Sequence, residues 1–239
     1  MAKQQVEFQD LGVIDYKKAW DYQQTLQQEL VQRKVALRES EQPSPNIIKK
    51  HYLIFCEHPP VYTLGKSGDM QNLLLSEGEL KDKHIDFYNI NRGGDITFHG
   101  LQQIVGYPIF DLEYFFTDVH LYVRNLEEAI IRTIAEFGLK GERIKEYTGV
   151  WLAPDNNNSQ WRKICAIGVH VSRWVTLHGF AFNVNTDLSY FKNIIPCGIN
   201  DSSKNVTSLA NELNVKMDFA NIQQRLKQHL SDIFLFDYQ

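Results

Sequence analysis

A chain of 239 residues, 43% hydrophobic and 23% charged, is long enough for one substantial core and has the balance of an ordinary soluble protein. Its net charge of −4 argues against nucleic acid as the main partner, because a phosphate backbone demands a basic excess. The amino terminus carries no apolar leader, and no run approaches the ~18 apolar residues of a spanning helix, which argues against a membrane partner. Cys56, Cys165 and Cys197 are odd in number and far apart. They indicate neither a disulfide framework nor a zinc ribbon, and a reducing, cytoplasmic home is the expectation.

In chain order, Asp15 caps a predicted helix over residues 15–38, with Ala19, Tyr22, Leu26 and Leu30 at spacings of three and four. The proline-bearing stretch 40–45 ends it. Strands are predicted at 51–56 and 61–65, broken by Pro59-Pro60, then at 84–91 and 103–112. The clearest helix spans 118–137, with a stripe of Val119, Val123, Leu126, Ile130, Ile134 and Phe137 and Gly138 as its stop. Strands follow at 148–152, 162–173 and 177–185, the first two joined by the polar turn 155–159. A short turn is expected near 190–194. Thr207 and Asp218 are read as caps of two final helices, the last with Phe219, Ile222, Leu226, Leu230 and Ile233 on its apolar face. No repeat or linker interrupts this order. The fold class is α+β: a mixed sheet with helices packed on it, in one domain over residues 1–239.

Three segments carry chemistry. Cys56 and Cys165 sit in apolar strand patterns and read as small buried hydrophobes, whereas Cys197 lies between Pro196 and Gly198 in a turn-rich loop. A free thiol ionises near pH 8.5, about what a neighbouring cation must lower to give thiolate at neutral pH. Lys163 is the candidate cation. It opens the apolar strand Ile164-Cys165-Ala166-Ile167-Gly168-Val169, and a lysine at such a boundary loses hydration and can move protons. Its plain alternative is a solvated strand-edge lysine. The third segment is Arg92-Gly93-Gly94-Asp95-Ile96-Thr97-Phe98-His99-Gly100, where two glycines are free to take positive φ and to present backbone N–H groups to a carbonyl. His99 and His178 are each a base or a pocket wall; His58 reads as structural. There is no phosphate loop, no Gly-x-Ser-x-Gly elbow, no His-Glu-x-x-His and no metal-ligand spacing among the histidines.

These segments resemble the lipoyl(octanoyl)transferase family. The likeness runs from His58-Pro59-Pro60-Val61-Tyr62-Thr63 through residues 92–100, Gly149-Val150-Trp151, residues 163–168 and residues 178–184 to Pro196-Cys197-Gly198, in family order. It implies the biotin/lipoate protein ligase fold, related to class II synthetases. It implies octanoyl transfer from an acyl carrier protein, through a thioester on Cys197, to a lysine amine. The acceptors it implies are lipoyl domains of 2-oxoacid dehydrogenase E2 subunits and the glycine cleavage H protein. Lys163 would tune the thiol and shuttle protons. Arg92, Gly93, Gly94, Asp95, Ile96, Thr97, Phe98, His99, Ala166, Ile167, Gly168, Gly179, Phe180 and Ala181 would line the acyl site. No cofactor and no metal are implied, since thioester exchange and thioester-to-amide transfer need no ATP.

One departure stands out: where the family usually continues Pro-Gly-Gln after His-Gly, this chain has Leu101-Gln102-Gln103, which bears on loop shape and chain-length preference. The rival readings are an ATP-dependent lipoate or biotin ligase on the same fold and a non-enzymatic acyl-carrier-binding module. Both expected protein partners are acidic in this family's setting, and Arg143, Lys145, Arg173, Lys192 and Lys204 are candidates for a basic rim.

Overall fold

The computed structural model describes residues 3–39, 50–156, 158–196 and 203–239. Strand β1 (Gln4–Val13) leads into helix α1 (Tyr16–Glu39), then β2 (His51–Glu57) and β3 (Val61–Leu64). A short helix α2 (Glu77–Asp82) precedes β4 (Asp86–Asn89), β5 (Ile96–His99) and β6 (Gln103–Ile109). Helix α3 (Val119–Ala135) is followed by β7 (Gly141–Ile144), β8 (Tyr147–Leu152), β9 (Trp161–Ser172) and β10 (Val175–Asn183). The chain closes with β11 (Lys204–Val206), α4 (Leu209–Leu213), α5 (Phe219–Phe234) and β12 (Phe236–Tyr238).

A mixed nine-stranded sheet runs β12-β1-β2-β6-β10-β9-β8-β7, with β11 also on β9; a three-stranded sheet runs β4-β3-β5. On one face of the large sheet, α3 and α5 bury Tyr122, Leu126, Ile130, Ile222, Leu226 and Leu230 against Phe55, Phe180 and Phe182. On the other, Leu26 and Leu30 of α1 pack on Ile54, Val105, Tyr107 and Leu177. The sheet is therefore covered on both sides, which explains why β2, β6 and β10 read as near-continuous apolar runs.

Helix starts follow side-chain caps. The Asp15 carboxylate accepts from the Lys18 N–H at 3.1 Å, and those of Asp118 and Asp218 accept from Leu121 and Asn221. Thr207 does not cap α4; Ser208 does. The Thr207 hydroxyl instead donates to Glu212 at 2.6 Å and accepts from Asn211 Nδ2 at 3.1 Å. The α3 face is also rotated from the expected stripe: Tyr122 and Ala129 are buried, while Val119 and Val123 lie at its margin. The expected strand over 84–91 shortens to β4, because α2 takes the preceding turn. The stop expected over 40–45 lies outside the described residues. Among the described residues no helix is long and apolar enough to cross a membrane.

Candidate active site

The site begins with a bulge in β9. Val150 of β8 pairs with Cys165 and Trp151 pairs with Lys163, so Ile164 is an extra residue with no partner across the ladder. A strand alternates its faces with period two, and one inserted residue resets the alternation. Ile164 and Cys165 both enter the main core, and Lys163 falls on the same face as Ala166 and Gly168. Without the bulge, Lys163 would share a face with the core residue Cys165.

Lys163 is 8% exposed, and its ammonium lies over the Trp151 ring, 4.6 Å from the centroid. Trp151 is itself fixed: its indole N–H donates to the Tyr147 carbonyl at 3.0 Å. The backbone on the far side of Lys163 is held by β11, where the Thr207 N–H donates to the Lys163 carbonyl at 2.9 Å.

The small sheet supplies the roof. Residues 92–95 form the turn before β5 and dock on β9 through the Gly93 N–H, which donates to the Val169 carbonyl at 3.0 Å. This approach needs Gly168, since a Cβ there would stand 2.7 Å from the Gly93 carbonyl oxygen. Of the two glycines expected to take positive φ, Gly94 does, at +88°. The Arg92 guanidinium is spent on this architecture, donating to the Thr63 carbonyl at 2.6 Å and to the Gly93 carbonyl at 3.1 Å.

Between roof and sheet lies a cavity of about 310 Å³. Arg92, Gly94, Asp95, Ile96, Thr97 and His99 line it from the roof, and Ala166, Ile167, Gly168, Gly179, Phe180 and Ala181 line it from β9 and β10. The last six face one another across the ladder, with Ala166 opposite Ala181 and Gly168 opposite Gly179. Two expected members are elsewhere. Gly93 contributes its backbone to the docking bond, and Phe98 points to the other side of the small sheet, stacked on Tyr190 with ring centroids 4.5 Å apart. This follows from strand alternation, which puts Thr97 and His99 on the cavity side.

Sequence reasoning missed Tyr16, Gln103, Asn183 and Phe191, which also line the cavity. Tyr16 is the first residue of α1 and stacks on His99 at 5.7 Å. Nothing in a helix start signals such a role. Gln103 and Asn183 link the walls: Gln103 Nε2 donates to Asn183 Oδ1 at 2.9 Å, and Asn183 Nδ2 donates to the Thr207 carbonyl at 3.0 Å.

The histidines belong to the walls. Burial pushes His99 well below its usual range, with His58 and Arg92 adding to the effect. Burial and the Arg92 charge bring His178 down to about 3. His58 is lowered by burial to about 4, and its ring nitrogens lie 2.7 Å from the Ile14 carbonyl oxygen and 2.8 Å from the Tyr107 hydroxyl, as a structural residue requires. Cys56 and Cys165 are buried free thiols whose ionisation burial opposes. Cys197 lies outside the described residues; Pro196, which precedes it in the sequence, lines the cavity together with Lys163.

The departure after Gly100 is accommodated. Gln102 takes the left-handed conformation, φ +60°, that suits the glycine usual in the family. Its N–H donates to the Glu57 carboxylate, while its backbone and side-chain oxygens accept from Asn185 at 3.0 and 2.9 Å. These bonds offset the ~1 kcal/mol that a non-glycine residue loses there. The expected basic rim does not gather as a unit. Arg143 is paired with Glu127 and Glu128 at 3.1 and 2.7 Å, and Arg173 sits at the opposite end of β9 from Lys163. Lys192 and Lys204 do stand near the cavity mouth, in an adjoining groove.

Comparison with known proteins defines the class first. Residues 15–231 match the lipoyl protein ligase A/B catalytic domain, and the chain belongs to that family. Its fold is that of a lipoate-protein ligase A crystallised with ATP (TM-score 0.65, 15% identity, 100% of this chain and 88% of that one). The lipoate protein ligase of Thermoplasma acidophilum shares it too (TM-score 0.65, 15% identity, 100% and 86%).

Within the family the relatives are specific. The chain is 54% identical over 229 residues to the octanoyltransferase of Cytophaga hutchinsonii, covering 95% of this chain and 91% of the relative. It is 55% identical over 231 residues to that of Christiangramia forsetii, covering 96% of each. The chain is a member of the octanoyltransferases, and so a transferase enzyme.

Proposed function

We propose that residues 1–239 act as one cytoplasmic transferase domain that moves an octanoyl group from acyl carrier protein to lipoyl domains through a thioester on Cys197. The Cys197 thiolate attacks the carrier-bound thioester carbonyl; a new C–S bond forms, the old one breaks, and the carrier thiolate leaves with a proton from the Lys163 ammonium, which becomes the neutral amine. The ε-amine of an acceptor lysine then attacks the enzyme thioester. The C–N bond of the amide forms, the Cys197 sulfur leaves, and Lys163 passes on the proton that the amine gives up. Before the first step the Lys163 ammonium favours the thiolate. Acceptors are lipoyl domains of 2-oxoacid dehydrogenase E2 subunits and the glycine cleavage H protein. No ATP or metal enters these steps.

The observation that supports this reading is the position of Lys163. It is buried at one end of a cavity whose walls are Ala166–Gly168 and Gly179–Ala181 backbone and small side chains, beside the residue that precedes Cys197. An alkyl chain laid there gains ~0.8 kcal/mol per buried methylene, enough to read chain length.

The test is intact-mass spectrometry after mixing with octanoyl carrier protein. The wild-type chain gains one octanoyl group in place of a hydrogen, and the Cys197→Ser protein gives no thioester and no transfer. Full transfer activity in Cys197→Ser would remove the mechanism, and adenylate formation from octanoate and ATP would favour a ligase.

A further inference from the structure

Lys163 borders a second depression. Outside the acyl cavity lies a groove of about 1060 Å³ that shares Lys163, Phe191, Pro196 and Val206 with it. Its other walls come from the turn at Leu188–Asn193, from β11, and from α4 with the turn that follows. The transfer steps above use the shared end of this groove and leave the rest unexplained.

Its charge is opposite to that of the whole chain. Among the described residues it is lined by Lys163, Lys192, Lys204 and Lys216 against one carboxylate, Asp187, in a protein of net charge −4. Asp187 is turned onto its own backbone, where it accepts from the Ser189 N–H at 2.9 Å. The Lys204 ammonium is held over the Tyr147 ring, 4.7 Å from its centroid. Lys192 and Lys216 are exposed and come from separate elements. Asparagine side chains and the exposed Val215 also line the groove, so the surface is polar without being uniformly charged.

A donor that delivers its acyl chain into the cavity must leave the rest of itself on the open side of Lys163. On an acyl carrier protein that remainder is a pantetheine arm, with two amides and a hydroxyl, joined to the protein by a phosphodiester. We infer that this groove receives the pantetheine arm of the donor, with Lys192 and Lys216 binding its phosphate. The inference rests on the transfer reading. Charge and chemistry agree: lysines are strong point-charge donors to phosphate, and although Asn185 spends its side chain on Gln102 and Met217, the exposed Asn205, Asn211 and Asn214 supply amides to match those of the arm.

The experiment measures only the first half-reaction, octanoyl loading of the full-length enzyme. The donors are octanoyl-4′-phosphopantetheine, octanoyl-pantetheine and octanoyl carrier protein. In a Lys192→Glu/Lys216→Glu protein, the ratio of the second-order loading rate constant for the phosphorylated arm to that for the unphosphorylated arm falls about tenfold or more. The carrier-protein donor follows the phosphorylated arm. An unchanged ratio overturns the assignment, whether both donors are untouched or both fall alike. So does a loss confined to the carrier protein, which would put the lysines against its surface. Failure of the wild-type enzyme to load from any of the three donors would instead sink the transfer reading, so the two failures are distinguishable.

Discussion

Lys163 shows how a single inserted residue decides what a side chain can do. Read as a regular strand, residues 161–172 would alternate, and Lys163 would share a face with the buried Cys165. The Ile164 bulge places it instead with Ala166 and Gly168, under Trp151 and on the cavity that Pro196 also lines. The apolar pattern after Lys163 was legible in the sequence; the bulge was not, because it depends on the register with β8. The consequence is measurable. On the proposed mechanism, truncating Lys163 to alanine removes the ammonium charge that favours ionised sulfur at Cys197. The sign is fixed: the thiol then holds its proton to higher pH. The pH profile for alkylation by iodoacetamide moves to the alkaline side, and the rate at neutral pH falls by roughly tenfold. An unaltered profile in a folded Lys163→Ala protein would detach the lysine from the thiol.

At the scale of elements, what could be read in advance was what stabilises itself locally. Helices α1, α3 and α5 carry caps and a 3.6-residue period; α1 and α3 stand within two residues of their expected bounds, and α5 starts directly after its expected Asp218 cap. Strands β5, β7, β11 and β12, of three or four residues, escaped notice, because their order comes from pairing with distant chain. So did β1, whose ten residues are largely polar and bury Val6 alone fully. Of the motif segments, residues 92–99, 163–168 and 178–183 contribute to one cavity together with Pro196. They could not separate Phe98 from its neighbours on the roof, since that depends on which face of β5 looks inward.

Gly149, in the otherwise unexplained Gly149-Val150-Trp151 motif, now has a physical role. Its φ is +124°, a Cβ there would stand 2.4 Å from the Cys165 carbonyl oxygen, and its N–H donates to the buried Glu127 carboxylate at 3.0 Å. It sets the entry of β8 to the bulge. Gly149→Ala is expected to cost about 2–4 kcal/mol of stability by denaturant unfolding. A loss below about 0.5 kcal/mol would show that β8 adapts freely.

Across the whole molecule, three neutral histidines join parts that are distant in sequence. His58, at the end of β2, contacts the Ile14 carbonyl and the Tyr107 hydroxyl of β6; His99 of β5 stacks on Tyr16 of α1; His178 of β10 meets the Asn91 side chain at 2.8 Å. Together they fasten the small sheet and α1 to the large sheet around the cavity. Burial is the largest cause of lowering in each, bringing His58 to about 4 and His178 to about 3. In the unfolded chain all three ionise near 6.5, about the ordinary value for the side chain. Between that value and the folded ones, the unfolded state binds more protons than the native state. The histidine contribution to stability is therefore complete above about pH 6.5 and is lost as the pH falls through the folded values. The paired carboxylates Glu128 and Glu136 lose their contribution only at lower pH, because their ionisation lies below the usual carboxylate range. The interval from about pH 6.5 down to about pH 5 thus isolates the histidines. Over it, Tm is expected to fall steadily, and calorimetric unfolding at about pH 5.5 is expected to take up protons, read from the dependence of the unfolding enthalpy on the ionisation heat of the buffer. A flat Tm across that interval, with no proton uptake, would mean that the three rings are already charged in the folded protein and that the polar wall they form is held together in some other way.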